Sequence, residues 1–187
     1  MKKTYMTLMA LVLCMVLSVS ALASSVPSKT LDDMTYATTE GEFEIIVITD
    51  ETDIMGWVPA EIEKITSCVS EGNEVASYFD AEVFAAGEND VNGLTCVEAE
   101  AVYAEGYNAA MGDQKVTFTF PAVYEQDLIL MIGVCNEAEN TVSYTAFDAV
   151  ANEEGEVEVV FDAATLENME GIENQVLMLL LGRPVEA

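Results

Sequence analysis

The spacing of apolar positions changes along this chain, and each spacing predicts a different element. Phe43-Glu44-Ile45-Ile46-Val47-Ile48 is short and rich in β-branched residues, which predicts a strand ended by the acidic turn Asp50-Glu51-Thr52-Asp53. Val58, Ile62, Ile65 and Val69 then recur at helical spacing. A helix therefore opens at Pro59, a first-turn position that proline tolerates, and Gly72-Asn73 stops it. Residues 74–80 add one further turn.

Beyond residue 94 the spacing becomes two. Val97, Ala99, Ala101 and Tyr103 fall on one face of a strand over 95–103. Val116, Phe118 and Phe120 alternate with threonines, as a half-buried strand does. Val157, Val159 and Phe161 repeat that alternation. Residues 128–134 and 176–181 are apolar throughout and predict strands covered on both faces. Residues 142–150 are mixed. Asp162 is placed to cap a short helical turn reaching Met169.

The second half contains a weak internal repeat. Residues 95–133 and 145–182 each read as a strand, a turn, an alternating strand ending Phe-x-Ala, a loop, and an apolar strand ending in glycine. Two such units packed face to face would make a sandwich, although any antiparallel protein produces similar echoes. The polar stretch Glu88-Asn89-Asp90-Val91-Asn92-Gly93 separates the halves as a strong turn. The expected organisation is a signal peptide over 1–23, a flexible leader over 24–41, a strand-helix portion over 42–87 and a β-sandwich over 88–187.

The signal peptide rests on the basic start Met1-Lys2-Lys3, the apolar run 8–19 and the small residues Ala21 and Ala23. The run is short for a membrane span, and 176–181 is shorter still, so no span is expected in the mature chain. No wall-sorting signal is recognisable, which predicts release into the medium or loose wall association.

Charge narrows the partners. The 187 residues carry 34 Asp and Glu against six Lys and Arg and no histidine, a formal charge of −28. Lys2 and Lys3 leave with the signal peptide. Nucleic acids and anionic membranes require basic patches, so neither is an expected partner. Cations and basic partners are favoured, and a monomer is expected.

The order of Lys115-Val116-Thr117-Phe118-Thr119-Phe120-Pro121-Ala122-Val123, Glu125-Gln126-Asp127-Leu128-Ile129-Leu130 and Gly155-Glu156-Val157-Glu158-Val159-Val160-Phe161 resembles uncharacterised secreted proteins of Gram-positive bacteria. That resemblance implies export and a helix-bearing region before an immunoglobulin-like β-sandwich. It implies no activity. Residues 162–174 form a longer connection than the resemblance leads one to expect. The fold expected is therefore α+β, a small N-terminal strand-helix portion followed by an antiparallel immunoglobulin-like sandwich.

Candidate chemistry is sparse. Without histidine, a serine or cysteine nucleophile lacks its usual base and histidine-built zinc sites are excluded. No phosphate-cradling glycine loop is present. A glycosidase or aspartic-protease mechanism needs only two carboxylates, and with 34 acids such a pair carries no information. Glu88, Asp90 and Asn92, followed by Gly93, echo the first half of a calcium loop. The position of the bidentate glutamate, however, falls on Ala99, and an ordinary turn explains the same residues. Cys68, Cys96 and Cys135 would follow the signal peptide; either one pair forms, Cys96–Cys135 if their strands adjoin, or all three are small buried apolar side chains. Tyr103, Tyr107, Tyr124 and Tyr144 suit either an interface or half-buried strand edges, Trp57 suits packing, and 104–112 is a candidate contact loop. The function expected is a secreted, non-enzymatic binding or structural module. The alternatives are a secreted hydrolase using a carboxylate pair and a calcium-binding extracellular module.

Overall fold

A computed structural model describes residues 35–39, 41–84, 91–120, 128–136, 138–152 and 156–182. The expected signal peptide and most of the leader lie outside these residues, as do Glu88, Asp90 and Tyr124.

Eight strands form a single sheet: β1 (Tyr36–Thr39), β2 (Glu44–Val47), β3 (Thr95–Glu105), β4 (Gln114–Thr119), β5 (Leu128–Asn136), β6 (Thr141–Ala151), β7 (Val157–Phe161) and β8 (Val176–Gly182). Their order is β1-β4-β7-β6-β5-β8-β3-β2, and every pairing is antiparallel. Among the described residues the helices are α1 (Trp57–Ser70), α2 (Ala163–Asn168) and short 3₁₀ turns. The α+β class and the antiparallel, sheet-dominated architecture are as expected.

The two outer strands of that order, β1 and β2, follow one another in the chain. The Thr39 hydroxyl donates to the Phe43 carbonyl across their connection. The sheet therefore curls back until its ends lie side by side, close to a closed barrel. Curling encloses one face. Phe118, Phe161, Leu130, Ile132, Met178 and Leu180 fill that interior, and Leu166 and Met169 seal it from the α2 segment. Asp162 caps α2 as expected, its Oδ1 accepting from the Thr165 amide at 2.7 Å.

The internal repeat reappears in the pairing. The first copy is β3-β4-β5 and the second is β6-β7-β8. β4 pairs with its counterpart β7, β5 pairs with its counterpart β8, and the β3–β8 contact matches β6–β5. β7 lies directly beside β6, whereas β4 and β3 are separated by β1 and β2. The two units thus interleave within one sheet. The N-terminal portion belongs to the same sheet, so the boundary expected near residue 88 does not divide it. The leader ends earlier than 41, because Tyr36–Thr39 pairs with β4.

On the outer face a second apolar cluster covers β5, β8, β3 and, on β6, Tyr144 and Ala146. There α1 lays Val58, Ile62 and Ile65 on Leu177, Leu179, Ile129 and Met131. This is why the runs at 128–134 and 176–181 lack alternation: both faces are buried. β3 departs from the expected single apolar face. Cys96 pairs with Leu181 and Glu98 with Leu180, so Val97 is an extra residue in a β-bulge. The bulge reverses alternation, and Val97 packs with the interior while Ala99, Ala101 and Tyr103 pack under the helix layer. Among the described residues no helix is long and apolar enough to cross a membrane.

Candidate functional site: an apolar groove beside a buried carboxylate

Val69 was expected to complete the apolar stripe of α1, yet it is 43% exposed. The helix diverges from the sheet at its C-terminal end and leaves a groove of about 610 Å³ between itself and the bulged end of β3. Ile62, Ile65 and Val69 line it from the helix, Leu94 and Ala99 from the β3 side, and Leu179 from β8. Such a volume suits a small ligand, since ligand pockets run from roughly 300 to 1,000 Å³.

The hydroxyl and amide side chains of the lining are bonded within the protein. The Thr66 hydroxyl donates to the Ile62 carbonyl at 2.8 Å and that of Ser70 to the Ser67 carbonyl at 2.9 Å. Asn73 Nδ2 donates to the Cys68 carbonyl and the Thr95 hydroxyl to the Gly182 carbonyl. Cys96 Sγ donates to the Glu98 carbonyl at 3.3 Å, and burial pushes its thiol up to about 12, with the Glu98 carboxylate adding to the effect. A protonated thiol is a poor nucleophile and a small apolar surface. The groove wall therefore behaves as hydrocarbon over most of its area.

A buried charge holds the helix that forms this wall. Glu61 is 3% exposed and sits beside the apolar stripe, three residues after Val58 and four before Ile65. Its Oε1 accepts from Tyr78 Oη and Tyr144 Oη, both at 2.8 Å, and its Oε2 accepts from Lys64 Nζ at 2.7 Å. Burial opposes ionisation, but the donors from Lys64, Tyr78 and Tyr144 together outweigh it and hold the carboxyl below the usual range. Burial, reinforced by the neighbouring carboxylate, raises both phenols. A carboxylate that stays ionised with both oxygens engaged acts as an anchor and is unsuited to donate a proton.

Tyr144 reaches Glu61 because its cross-strand partner is Gly133. A Cβ at residue 133 would stand 2.7 Å from Tyr144 Cε1, so only glycine lets the ring lie down there. Phe79 closes the opposite side of that ring edge-on, with centroids 4.8 Å apart. The start of α1 is tied by Gln175, which accepts from the Met55 amide at 2.8 Å and donates to the Asp53 carbonyl at 2.7 Å. The helix is therefore fixed at its beginning and its middle, and the groove opens where neither tie reaches.

Other residues singled out in the sequence fall elsewhere. Asn92 is an exposed turn residue, and Gly93 beside it has φ of 72° and borders the groove. Glu88 and Asp90 lie outside the described residues. Among the described residues no three histidine, cysteine, aspartate or glutamate side chains gather as a metal site would require. Strand β8 lies between β3 and β5, so Cys96 and Cys135 are on strands that do not adjoin and carry no disulfide. The 104–112 segment is held down: Glu170 accepts from the Gly106 and Tyr107 amides at 3.0 and 2.9 Å, and Tyr107 Oη donates to the Gly112 carbonyl. Trp57 packs half-buried on the outer cluster.

Sequence reasoning missed Glu61, Tyr78 and the groove. A charge flanking an apolar stripe was a readable signal for Glu61. Comparison of the chain with models of known protein families, with curated proteins and with solved structures returned no match.

Proposed function

We propose that this chain is a secreted, non-enzymatic extracellular module that binds a small apolar ligand in the groove between α1 and the bulged end of β3. The observation that carries the proposal is the groove itself. A helix stripe ends uncovered at Val69, facing a wall whose hydroxyls and amides are already bonded internally. Such a wall gains little from polar ligands and stabilises apolar ones by roughly 25 cal/mol per Å² of apolar surface removed from water. The signal peptide expected over 1–23 and the resemblance to secreted Gram-positive proteins support the extracellular setting. The antiparallel pairing of all eight strands supports the β-rich architecture that the resemblance implies. Binding without catalysis is favoured because the one deeply buried carboxylate of the region, Glu61, is committed to holding the helix.

Titration of the purified chain with N-phenyl-1-naphthylamine, whose fluorescence rises in apolar surroundings, tests the binding claim. Saturable enhancement is expected, and it should be lost in Val69→Trp, which fills the groove from an exposed position. Equal binding by both proteins contradicts the proposal. Fractionation of the producing cells tests the setting, and confinement of the protein to the cytosol contradicts export.

A further inference from the structure

Strand β6 outruns the strand beside it. Its pairing with β5 runs without a break from Ala149 opposite Leu128 to Thr141 opposite Asn136, whereas β7 meets it only at Ala149, Val150 and Ala151. Past Phe161 the chain leaves the sheet. The Ala163 amide donates to Asp113, just before β4, and the α2 segment leads on to β3, where the Ala104 carbonyl accepts from the Gly171 amide. Among the described residues, 142–146 of β6 are therefore a free edge.

The phase of the ladder fixes which backbone groups this edge presents. The Asn152 amide donates to the Glu156 carbonyl at 2.8 Å where β6 turns toward β7, and in an antiparallel ladder every second residue bonds to the same neighbour. Val142, Tyr144 and Ala146 thus each turn an N–H and a C=O away from β5, and among the described residues none of these groups has a backbone partner. Exposed edges are ordinarily blunted by charge, proline or a bulge. Thr141-Val142-Ser143-Tyr144-Thr145-Ala146-Phe147 has none of the three. In a chain with 34 acids it is an uncharged run made mostly of β-favouring residues. Exposed carboxylates surround it. Glu139 lies in the β5–β6 turn and Asp148 where β7 departs, and Asp80 and Glu82 stand at the 3₁₀ turn Ala81–Phe84, which packs beside Tyr144 and Ala146.

We propose that this edge is a docking site for an extended, lysine- or arginine-bearing segment of a partner protein, which adds as a strand along the line that β7 leaves. Backbone bonds to Val142, Tyr144 and Ala146 hold the segment, and its basic side chains meet the surrounding carboxylates. A second copy offers the same edge but brings an equal formal charge of −28, so charge selects the basic partner. None of the edge residues lines the groove, and the two sites are independent.

The probe is a labelled peptide alternating lysine with valine, its binding to the full-length chain followed by fluorescence anisotropy. Saturable binding is expected. It should be about tenfold weaker for a lysine–glycine peptide of equal charge, which resists the extended form, and absent for a glutamate–valine peptide. Ala146→Pro removes one edge donor and no bond to β5, and should weaken binding about tenfold. Amide hydrogen exchange read by NMR needs no variant. The amides of Val142, Tyr144 and Ala146 should exchange fast in the free chain and slow about tenfold or more with saturating peptide. Those of Ser143 and Thr145, which face β5, should stay slow throughout.

Equal binding of the lysine–valine and lysine–glycine peptides overturns the inference, since charge alone then explains it. So does protection that misses Val142, Tyr144 and Ala146, or binding unchanged in a folded Ala146→Pro. Sedimentation equilibrium decides the other occupant: if the free chain dimerises with those three amides already protected, a second copy fills the edge and the basic partner is ruled out. The groove assignment stands under each of these results.

Discussion

Removing the Tyr144 hydroxyl takes one of three donors from Glu61 and leaves the other two in place. The carboxylate remains buried, with Tyr78 Oη at 2.8 Å and Lys64 Nζ at 2.7 Å. A hydrogen bond to a charged group contributes about 1.5–3 kcal/mol, so Tyr144→Phe should destabilise by about 2 kcal/mol. For a chain of this size each kcal/mol lowers Tm by roughly 2–4 °C, which places the loss at about 4–8 °C. The Lys64 contact adds little, because its ammonium is largely exposed. The cycle of Glu61→Gln, Tyr144→Phe and the double variant, measured by urea unfolding, should give a coupling of about 1–2 kcal/mol. The pH dependence has a fixed sign. Glu61 titrates below the ordinary glutamate value of 4.5, so the folded state favours its ionised form. Its stabilisation is complete above that value and is lost as pH falls through its own lower one. The stability difference between the wild-type chain and Glu61→Gln should thus be flat from pH 7 to about 5 and shrink in more acidic solution. The other carboxylates cancel in that difference. A coupling below about 0.5 kcal/mol, or a difference that grows on acidification, would refute the anchor.

Three further outcomes follow from the same geometry. Gly133→Ala should lower stability and also loosen α1, because its Cβ would displace the Tyr144 ring; near-ultraviolet circular dichroism and urea midpoints would report both. Phe161 is fully buried and meets Phe118 and Phe147 edge-on, so Phe161→Ala should cost about 3–5 kcal/mol by chemical denaturation. Asp162→Ala removes the α2 cap and should cost about 1 kcal/mol, and Asp162→Asn should retain most of it.

The fold was legible where one physical rule governs a segment. Strict alternation at Val157, Val159 and Phe161 marks a strand with one buried face, and the solid apolar runs mark β5 and β8, which lie beneath α1 as well as against the interior. The repeat was readable too, because both copies obey the same pairing. The bulge at Val97 was hidden, since a single extra residue reverses the faces without altering local composition. β1 was hidden because Tyr36-Ala37-Thr38-Thr39 has little apolar content, and its long-range pairing with β4, Tyr36 opposite Thr119, decides its conformation. The groove was hidden for a related reason. Val69 continues the helical stripe in sequence, and only the divergence of helix from sheet leaves it uncovered. The Glu61 anchor joins residues from α1, a 3₁₀ turn and β6, a convergence that no local spacing encodes.

Methyl-resolved NMR of the chain titrated with N-phenyl-1-naphthylamine tests the groove most directly. The methyl signals of Ile62, Ile65, Val69, Leu94 and Leu179 should shift together along one saturable curve, while those of Val150 and Val160, exposed on the outer face of β6 and β7, stay fixed. Shifts centred on Val150 and Val160, or spread over the surface without saturation, would contradict a ligand site between α1 and the sheet.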